Sequence, residues 1–371
     1  MSTSPAIPVT RSVAPSAKFW RGKRVLVTGH TGFKGSWLTV WLGMLGARTF
    51  GLALAPDTSP SMFGALKLDR ICDHAVCDVR DAERVAQRVR QVDPDVVIHM
   101  AAQPLVRLSY REPLATYQTN VMGTAHVLEA CRELEALSAV VVVTTDKCYE
   151  NREWAHAYRE SDHLGGRDPY SNSKACAELV VAAYRQSFFA DSKAGIATAR
   201  AGNVIGGGDW CADRLIPDAA RAYAARDHVT VRMPDATRPW QHVIDPLCGY
   251  LVLAEALASG RRPASHAFNL GPPMDQVRRV RDVIDAFTRA WGGGARWVHT
   301  PPEKPVHEAS LLALDPSLAA AELGWRSAIA LDQAVEMTAK WYGQFYSAPD
   351  ADGMLALTRS QITAVHSAGE A

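Results

Sequence analysis

A chain of 371 residues with 40 Lys and Arg against 39 Asp and Glu has a formal charge of +1, which excludes a nucleic acid or an anionic membrane as its main partner. The length suits one large α/β domain with a smaller lobe, or two domains of ordinary size. The cysteines Cys72, Cys77, Cys131, Cys148, Cys176, Cys211 and Cys248 are odd in number and lack metal-type spacing, so the expectation is a reducing cytoplasm, with no disulfide framework and no metal.

Residues 1–18 have no continuous apolar run and read as a disordered tail, and no later stretch reaches the roughly 18 apolar residues a membrane helix needs. RVLVTGH then gives a β-branched strand ending in glycine, and SWLTVWLGMLGA behind it spaces apolar residues as a buried helix would. TFGLALA and HAVCDV are the next strands. DAERVAQRVRQV, with Val85, Val89 and Val92 on one face, is an amphipathic helix leading into the strand DVVIHMAA. Pro113 to Leu134 reads as one long helix, followed by AVVVVTT, whose lack of alternation implies a strand buried on both faces. A loop around Trp154, the helix SNSKACAELVVAAYRQSFF and the strand GIATARAGNV continue the alternation, which predicts a Rossmann-type, doubly wound parallel sheet.

Composition changes at Ile205. GGGDWCADRLIP, the hairpin-like stretch HVTVRMPDATRPWQHV, and frequent Pro and Gly mark a smaller mixed α/β substrate lobe. The dinucleotide-binding domain is assigned residues 19–204 with 246–272, and the lobe residues 205–245 with 273–346. Residues 347–371 lose pattern and are expected to fray.

VTGHTGFKG places Gly29, Gly32 and Gly35 between the first strand and the first helix. Gly29 permits the tight turn, Gly32 lets backbone approach a pyrophosphate, and Gly35 lets the helix pack on its strand. The second strand ends LALAPD, so Asp57 lies past a proline and no arginine occupies the tip, leaving NAD and NADP both open on this feature. Asp78, at the end of the third strand, suits either a bond from an adenine amino group or an ordinary Asx turn.

Tyr170 and Lys174, four residues apart on one helix, share a face. A phenol is a useful base only well below its ordinary pKa of about 10, and a neighbouring ammonium together with a cationic nicotinamide favours phenolate. Thr145, at the end of a parallel strand, is placed to hydrogen-bond a substrate oxygen. YxxxK alone also fits a core tyrosine beside a solvated lysine.

The Gly-rich turn, HMAAQ after the fourth strand, Asn120, TTD after the fifth and YxxxK on the next helix, in that order, resemble the extended short-chain dehydrogenase/reductase family over residues 24–345. GHTGFKGSWL, TTDKCYEN, DPYSNSKACAE, RAGNVIGGGDW, DRLIPD and RPWQHV resemble its CDP-glucose 4,6-dehydratase branch. The resemblance implies NAD as cofactor, CDP-glucose as substrate and a homodimer. It implies cofactor contacts at Thr31, Phe33, Val79, Ala101, Ala102 and Asn120 beside Gly29, Gly32, Gly35, Asp78, Tyr170 and Lys174. Substrate contacts are implied at Gln103, Asn203, Arg214, Leu215 and Arg238, with His307 and Glu308 where the site closes. Trp154 and His156 are expected to form part of the sugar pocket or to cover the cofactor.

The chemistry implied is oxidation at carbon 4 with Tyr170 as base, elimination across carbons 5 and 6 with Asp146 protonating the leaving hydroxyl, and hydride return to carbon 6. Lys147 stands where related dTDP-glucose dehydratases have a glutamate base. It must be neutral at the critical moment, or only stabilise the enolate, and a plain ion pair to a carboxylate is the third reading. An epimerase needs Tyr170 and Lys174 but has no leaving water for Asp146 to protonate. A silent dinucleotide sensor needs no phenolate at all.

Overall fold

The structure is a computed structural model and describes residues 12–259, 263–301 and 311–366. Seven strands, β1 (Arg24–Thr28), β2 (Arg48–Ala53), β3 (Asp73–Val76), β4 (Val96–His99), β5 (Ala139–Val143), β6 (Gly195–Ala201) and β7 (Ala267–Leu270), form one sheet. Its order is β7-β6-β5-β4-β1-β2-β3, with every pairing parallel. All of β5 and β6 is buried, as their unbroken runs of apolar and small residues require when helices cover both faces.

Alternation along each strand divides the core. Leu26, Val97, Val140 and Val142 face α2 (Ala82–Val92), α3 (Gly123–Cys131) and α4 (Pro169–Phe188), which contribute Val85, Val89, Val127, Leu128 and Val181. Val25, Val27, Ile98 and Val141 face the other way, into the cluster that includes Trp37 and Leu38 of α1 (Phe33–Met44) and Leu247 and Leu251 of α6 (Ile244–Ala258). In chain order α5 (Leu215–Ala224) lies between α4 and α6. Three longer helices follow, α7 (Val280–Trp291), α8 (Leu331–Ser347) and α9 (Ala351–His366). Strand order reverses between β1 and β4, and the crevice at the carboxyl ends of these strands is where such sheets bind ligands.

Four expectations need correction. The helix from Pro113 is interrupted by a wide π-type turn at Gln118–Met122 before α3 and ends at Cys131. The stretch 228–243 is not a hairpin. Val229–Val231 pairs with Trp297–His299, Thr237–Arg238 with Arg278–Arg279, and Gln241–His242 with Val204–Ile205. Pro234 and Pro239 cut the stretch into pieces too short to pair with one another.

Residues 12–18 are not a loose tail either. Ser16 N and Trp20 Nε1 donate to the Glu255 carboxylate of α6 at 2.7 and 2.6 Å, and Val13 N donates to Gly324 O at 3.1 Å. The rest of that expected tail lies outside the described residues. At the other end the expected frayed segment contains α9, which packs on α1 and α8 and buries Met354, Thr358 and Ile362. These are helical i, i+4 and i+8 positions, and Trp341 Nε1 donates to Thr358 Oγ1 at 3.0 Å. Residues 367–371 lie outside the described set.

Candidate active site

A cavity of about 780 Å³ opens at the carboxyl ends of β1, β4 and β5 and runs to the short strands of the lobe. The Gly-rich turn forms one wall. Gly29 has φ +75°, and a Cβ there would lie 2.8 Å from Ala101 N, so both its conformation and its contact require glycine. A Cβ on Gly35 would lie 2.2 Å from Gly29 O. Gly32 differs: its Cβ would meet only Gly29 O at 3.4 Å, and the residue is open to the cavity. It caps α1 without a side-chain bond, leaving the helix N-terminus to whatever occupies the space beside it.

Thr31, Phe33, Val79, Ala101 and Ala102 lie on the wall, as do Asp57 and Thr58 past the tip of β2. Thr31 Oγ1 donates to Leu54 O at 2.9 Å. Asp78 forms the Asx turn, accepting from Arg80 N at 2.9 Å and from the Arg80 guanidinium at 2.8 and 2.6 Å, which holds its carboxyl below the usual range. A trough from Asp57 and Asp78, past an exposed Gly32 backbone, to Tyr170 and Lys174 fits an extended dinucleotide with its pyrophosphate at the α1 N-terminus.

Two expected contacts, Asn120 to the cofactor and Gln103 to the substrate, have amides bonded to the protein itself. Asn120 is off the wall: its amide accepts from Gln103 N at 2.8 Å and donates to Gln103 O and Ser173 Oγ, tying the loop after β4 to α4. Gln103 reaches the wall, but its own amide is engaged by Leu105 N, Leu105 O and Thr116 Oγ1. Both amides brace the loop that carries Ala101 and Ala102.

Tyr170 stands in the first turn of α4, a helix started by Asp168, which accepts from Ser171 N at 2.9 Å, and by Pro169 at the first position. Burial pushes the Tyr170 phenol up to about 12, opposite to the expected lowering, and the neighbouring Thr145 side chain offsets only part of that rise. The Lys174 ammonium donates to Val143 O at 3.1 Å, and desolvation lowers it to about 8.

Thr145 ends the β5 segment and caps the short turn Asp146–Cys148. Asp146 is fully buried. Its Oδ1 accepts from Thr145 Oγ1 at 2.9 Å and from Lys147 Nζ at 3.4 Å, while Oδ2 has no hydrogen-bond partner among the described residues. Oδ2 lies 3.3 Å from the point a Cβ on Gly202 would occupy, so glycine there makes room for this carboxyl.

Lys34, which the motif reading passed over, joins this centre from α1. Its Nζ donates to Tyr250 OH at 3.2 Å, and desolvation, then the charges of Arg214 and Lys174, lower it to about 7. Its signal in the sequence is a lysine in the first turn of an otherwise apolar helix, the end where the macrodipole disfavours a cation.

On the lobe side, Asn203, Arg214, Leu215 and Arg238 all reach the wall. Asn203 Oδ1 is buried with no partner among the described residues. Arg214 is paired to Asp209 at 2.7 Å, and Arg238 Nη1 donates to Thr237 O at 2.8 Å. Arg107 and Arg232 also line the cavity and both pair with Asp213, at 3.6 and 2.9 Å, so the sequence reading missed two guanidiniums here. Trp154 and His156 meet in a tilted ring contact with centroids 4.4 Å apart, off the cavity wall. His307 and Glu308 lie outside the described residues. Among the described residues no group of His, Cys, Asp and Glu is arranged for a metal ion, and no helix is long and apolar enough to cross a membrane.

The sequence model for GDP-mannose 4,6 dehydratase matches residues 26–338. The chain belongs to this family. A CDP-glucose 4,6-dehydratase of Salmonella typhimurium is 45% identical over 350 residues, covering 93% of this chain and 96% of that protein. A dTDP-glucose 4,6-dehydratase of Xanthomonas campestris is 27% identical, over 85% of this chain and 92% of that one. Among solved structures, a UDP-glucose-4-epimerase from Stenotrophomonas maltophila with bound NAD and formylated UDP-arabinopyranose superposes with a TM-score of 0.76 at 25% identity, covering 88% of this chain and 99% of that one. The family's extended dehydrogenase/reductase fold is therefore shared between dehydratases and epimerases, and the choice of reaction rests on the side chains at the centre.

Proposed function

We propose that this chain is an NAD-dependent CDP-glucose 4,6-dehydratase, converting CDP-glucose to CDP-4-keto-6-deoxyglucose and water. The observation that carries the reading is the buried Asp146 carboxyl, in contact with both Thr145 and Lys147 beside Tyr170. The likeness to the Salmonella typhimurium enzyme supports the cytidine nucleotide.

Bound NAD supplies a hydride acceptor for carbon 4, a hydride donor for carbon 6, and positive charge beside Tyr170. Tyr170 removes the 4-hydroxyl proton, and Thr145 holds that oxygen. Tyr170's burial makes its phenolate costly, so the Lys174 charge on the same helix face must offset it. The ketone at carbon 4 then acidifies the carbon 5 proton. A proton passing from Lys147 Nζ to Asp146 Oδ1 along their 3.4 Å contact turns an ion pair into a neutral amine and a carboxylic acid. One transfer thus creates both the base for carbon 5 and the acid for the departing 6-hydroxyl. Arg214 and Arg238 take the diphosphate and nucleotide sugar, with Asn203 and Leu215 beside them.

We further propose a cytoplasmic homodimer. Leu114 on the helix Pro113–Tyr117, Met122 at the end of the π-type turn that follows it, and Leu179 and Phe188 on α4 are exposed large apolar side chains on adjacent elements. A symmetric pairing of these faces would cover them.

The test is incubation of the purified protein with CDP-glucose in heavy water. The expected product is the 4-keto-6-deoxy sugar nucleotide with deuterium at carbon 5 and no net accumulation of reduced cofactor. A galactose epimer as product, or no turnover of CDP-glucose, overturns the reading.

A further inference from the structure

We propose that Glu178 is a positioning residue for Lys174, fixing the lysine's charge and its distance from the tip of β5 through bonds to Thr144, Thr198 and Arg200. This rests on the catalytic reading of Tyr170 and Lys174 given above. Glu178 lies one helical turn beyond Lys174 on α4 and is buried. Its Oε1 accepts from Thr144 Oγ1, and its Oε2 accepts from Thr198 Oγ1 and Arg200 Nη2, both at 2.7 Å. Successive turns of α4 therefore hold successive residues of one strand end: Lys174 donates to Val143 O, and Glu178 receives from Thr144. The next residues along the chain are Thr145, Asp146 and Lys147. A slip of α4 against β5 would separate Tyr170 from Thr145, and the Glu178 carboxylate resists it at three points.

The second consequence is electrostatic. The charged and titratable groups around Lys174 are Glu178 and Tyr170 on its own helix, Cys148 after β5, His99 from β4 and Lys34 from α1. Desolvation lowers the ammonium to about 8, and the Glu178 charge is the first opposing influence. Arg200 pairs with the far side of Glu178 at 2.7 Å and passes its other nitrogen to Tyr149 OH at 2.8 Å, so the carboxylate is fixed in place by its partners on β6 as well as on β5. Without this carboxylate Lys174 loses its proton at lower pH, and with it the charge that favours the Tyr170 phenolate.

The experiment is the pH profile of kcat/KM for CDP-glucose, run beside thermal melts of each protein over the same pH range. Glu178→Gln is expected to move the alkaline limb about one pH unit or more toward acid. Glu178→Asp, which keeps the charge, is expected to restore the limb. Because Glu178→Gln leaves Arg200 unpaired in the core, the double variant Glu178→Gln with Arg200→Met removes both charges. It is expected to melt near the wild type and keep the displaced limb. An alkaline limb in the folded double variant that coincides with the wild type overturns the proposal, as does a Glu178→Asp limb that stays displaced. A wild-type protein that does not turn over CDP-glucose overturns the dehydratase reading and this proposal with it, whereas wild-type turnover with unmoved limbs overturns this proposal alone.

Discussion

Replacing Gly32 and Gly35 separately by alanine should divide cofactor binding from folding, because the same methyl group meets different surroundings at the two positions. At Gly32 the backbone (φ −77°, ψ 173°) is open to any residue, and the added Cβ would touch only Gly29 O at 3.4 Å. Alanine is a poorer helix cap than glycine, but it also restricts the unfolded chain, and the two effects of about 0.5–1 kcal/mol each nearly cancel. The melting temperature of Gly32→Ala should therefore stay within a few degrees of the wild type. Its methyl group, however, projects where a pyrophosphate must meet the α1 N-terminus. Loss of one charge-assisted hydrogen bond, about 1.5–3 kcal/mol, corresponds to about tenfold to about a hundredfold weaker NAD binding. At Gly35 the Cβ would lie 2.2 Å from Gly29 O and 2.6 Å from His30 Cα, both backbone atoms, so the turn itself must shift. A cost near the upper end of overpacking, about 3 kcal/mol, is expected in the melt. Calorimetric titration with NAD and thermal denaturation of both variants make the comparison. Wild-type NAD affinity in Gly32→Ala, or wild-type stability in Gly35→Ala, would refute the assignment of these glycines.

Tyr170→Phe should lose oxidation at carbon 4, whereas Lys147→Met should still oxidise carbon 4, accumulating reduced cofactor, yet incorporate no deuterium at carbon 5; single-turnover absorbance with mass spectrometry of the recovered sugar distinguishes them. If Lys147 needs Asp146 to take its proton, Asp146→Asn should also fail to exchange carbon 5, and exchange at the wild-type rate would sink the proton-transfer scheme. Burial lowers His30 to about 4 and His99 and His242 each to about 3, so the unfolded chain takes up these protons near pH 6.5 while the folded chain refuses them. Stability is thus fully present above that pH and should fall below it by about 1.4 kcal/mol per pH unit per histidine, until each folded-state value is reached. Denaturant titrations at pH 7 and pH 5 measure the slope, and a folded His242→Gln protein with an unchanged slope would contradict the cause. Met354→Ala, in the core under α9, should cost about 2–5 kcal/mol, and a neutral result in the melt would mean that this helix does not contribute to the fold.

The sheet was legible because its strands are short, apolar and separated by helices with clear faces; β5 has five buried residues and no competing pattern. The pairing of Tyr170 with Lys174 was legible for the same local reason, four residues on one helix. Contacts made across the fold were not. Lys34 is marked in the sequence only by its place at the start of an apolar helix, and only the packing of α1 against α6 brings Tyr250 to its Nζ. Asn120 reads as a polar residue open to a ligand until the π-type turn directs its amide to Gln103 and Ser173. The segment after Ser347 looked patternless because its buried positions include Thr358 and Gln361, polar types that the core accepts through bonds to Trp341 and Met337 O.

The centre also bears on how one fold can serve both elimination and epimerisation. Epimerisation at carbon 4 needs a base that returns its proton to the same oxygen, which Tyr170 and Lys174 provide in either enzyme. Elimination needs in addition a proton for the hydroxyl leaving carbon 6 and a proton acceptor at carbon 5, on a substrate already carrying a diphosphate. Lys34, Lys174, Arg214, Asp146 and Lys147 are close enough at this centre for desolvation and then the charges of Arg214 and Lys174 to lower Lys34. A proton moved from Lys147 to Asp146 leaves the net charge of this centre unchanged. The Asp146 carboxyl, protonated at Oδ1 by that transfer, is then the acid for the leaving hydroxyl. A glutamate in place of Lys147 would lie beside Asp146 as a second carboxylate, and would need a proton from elsewhere to make the acid. The lysine at this position makes the acid and the base from a single contact.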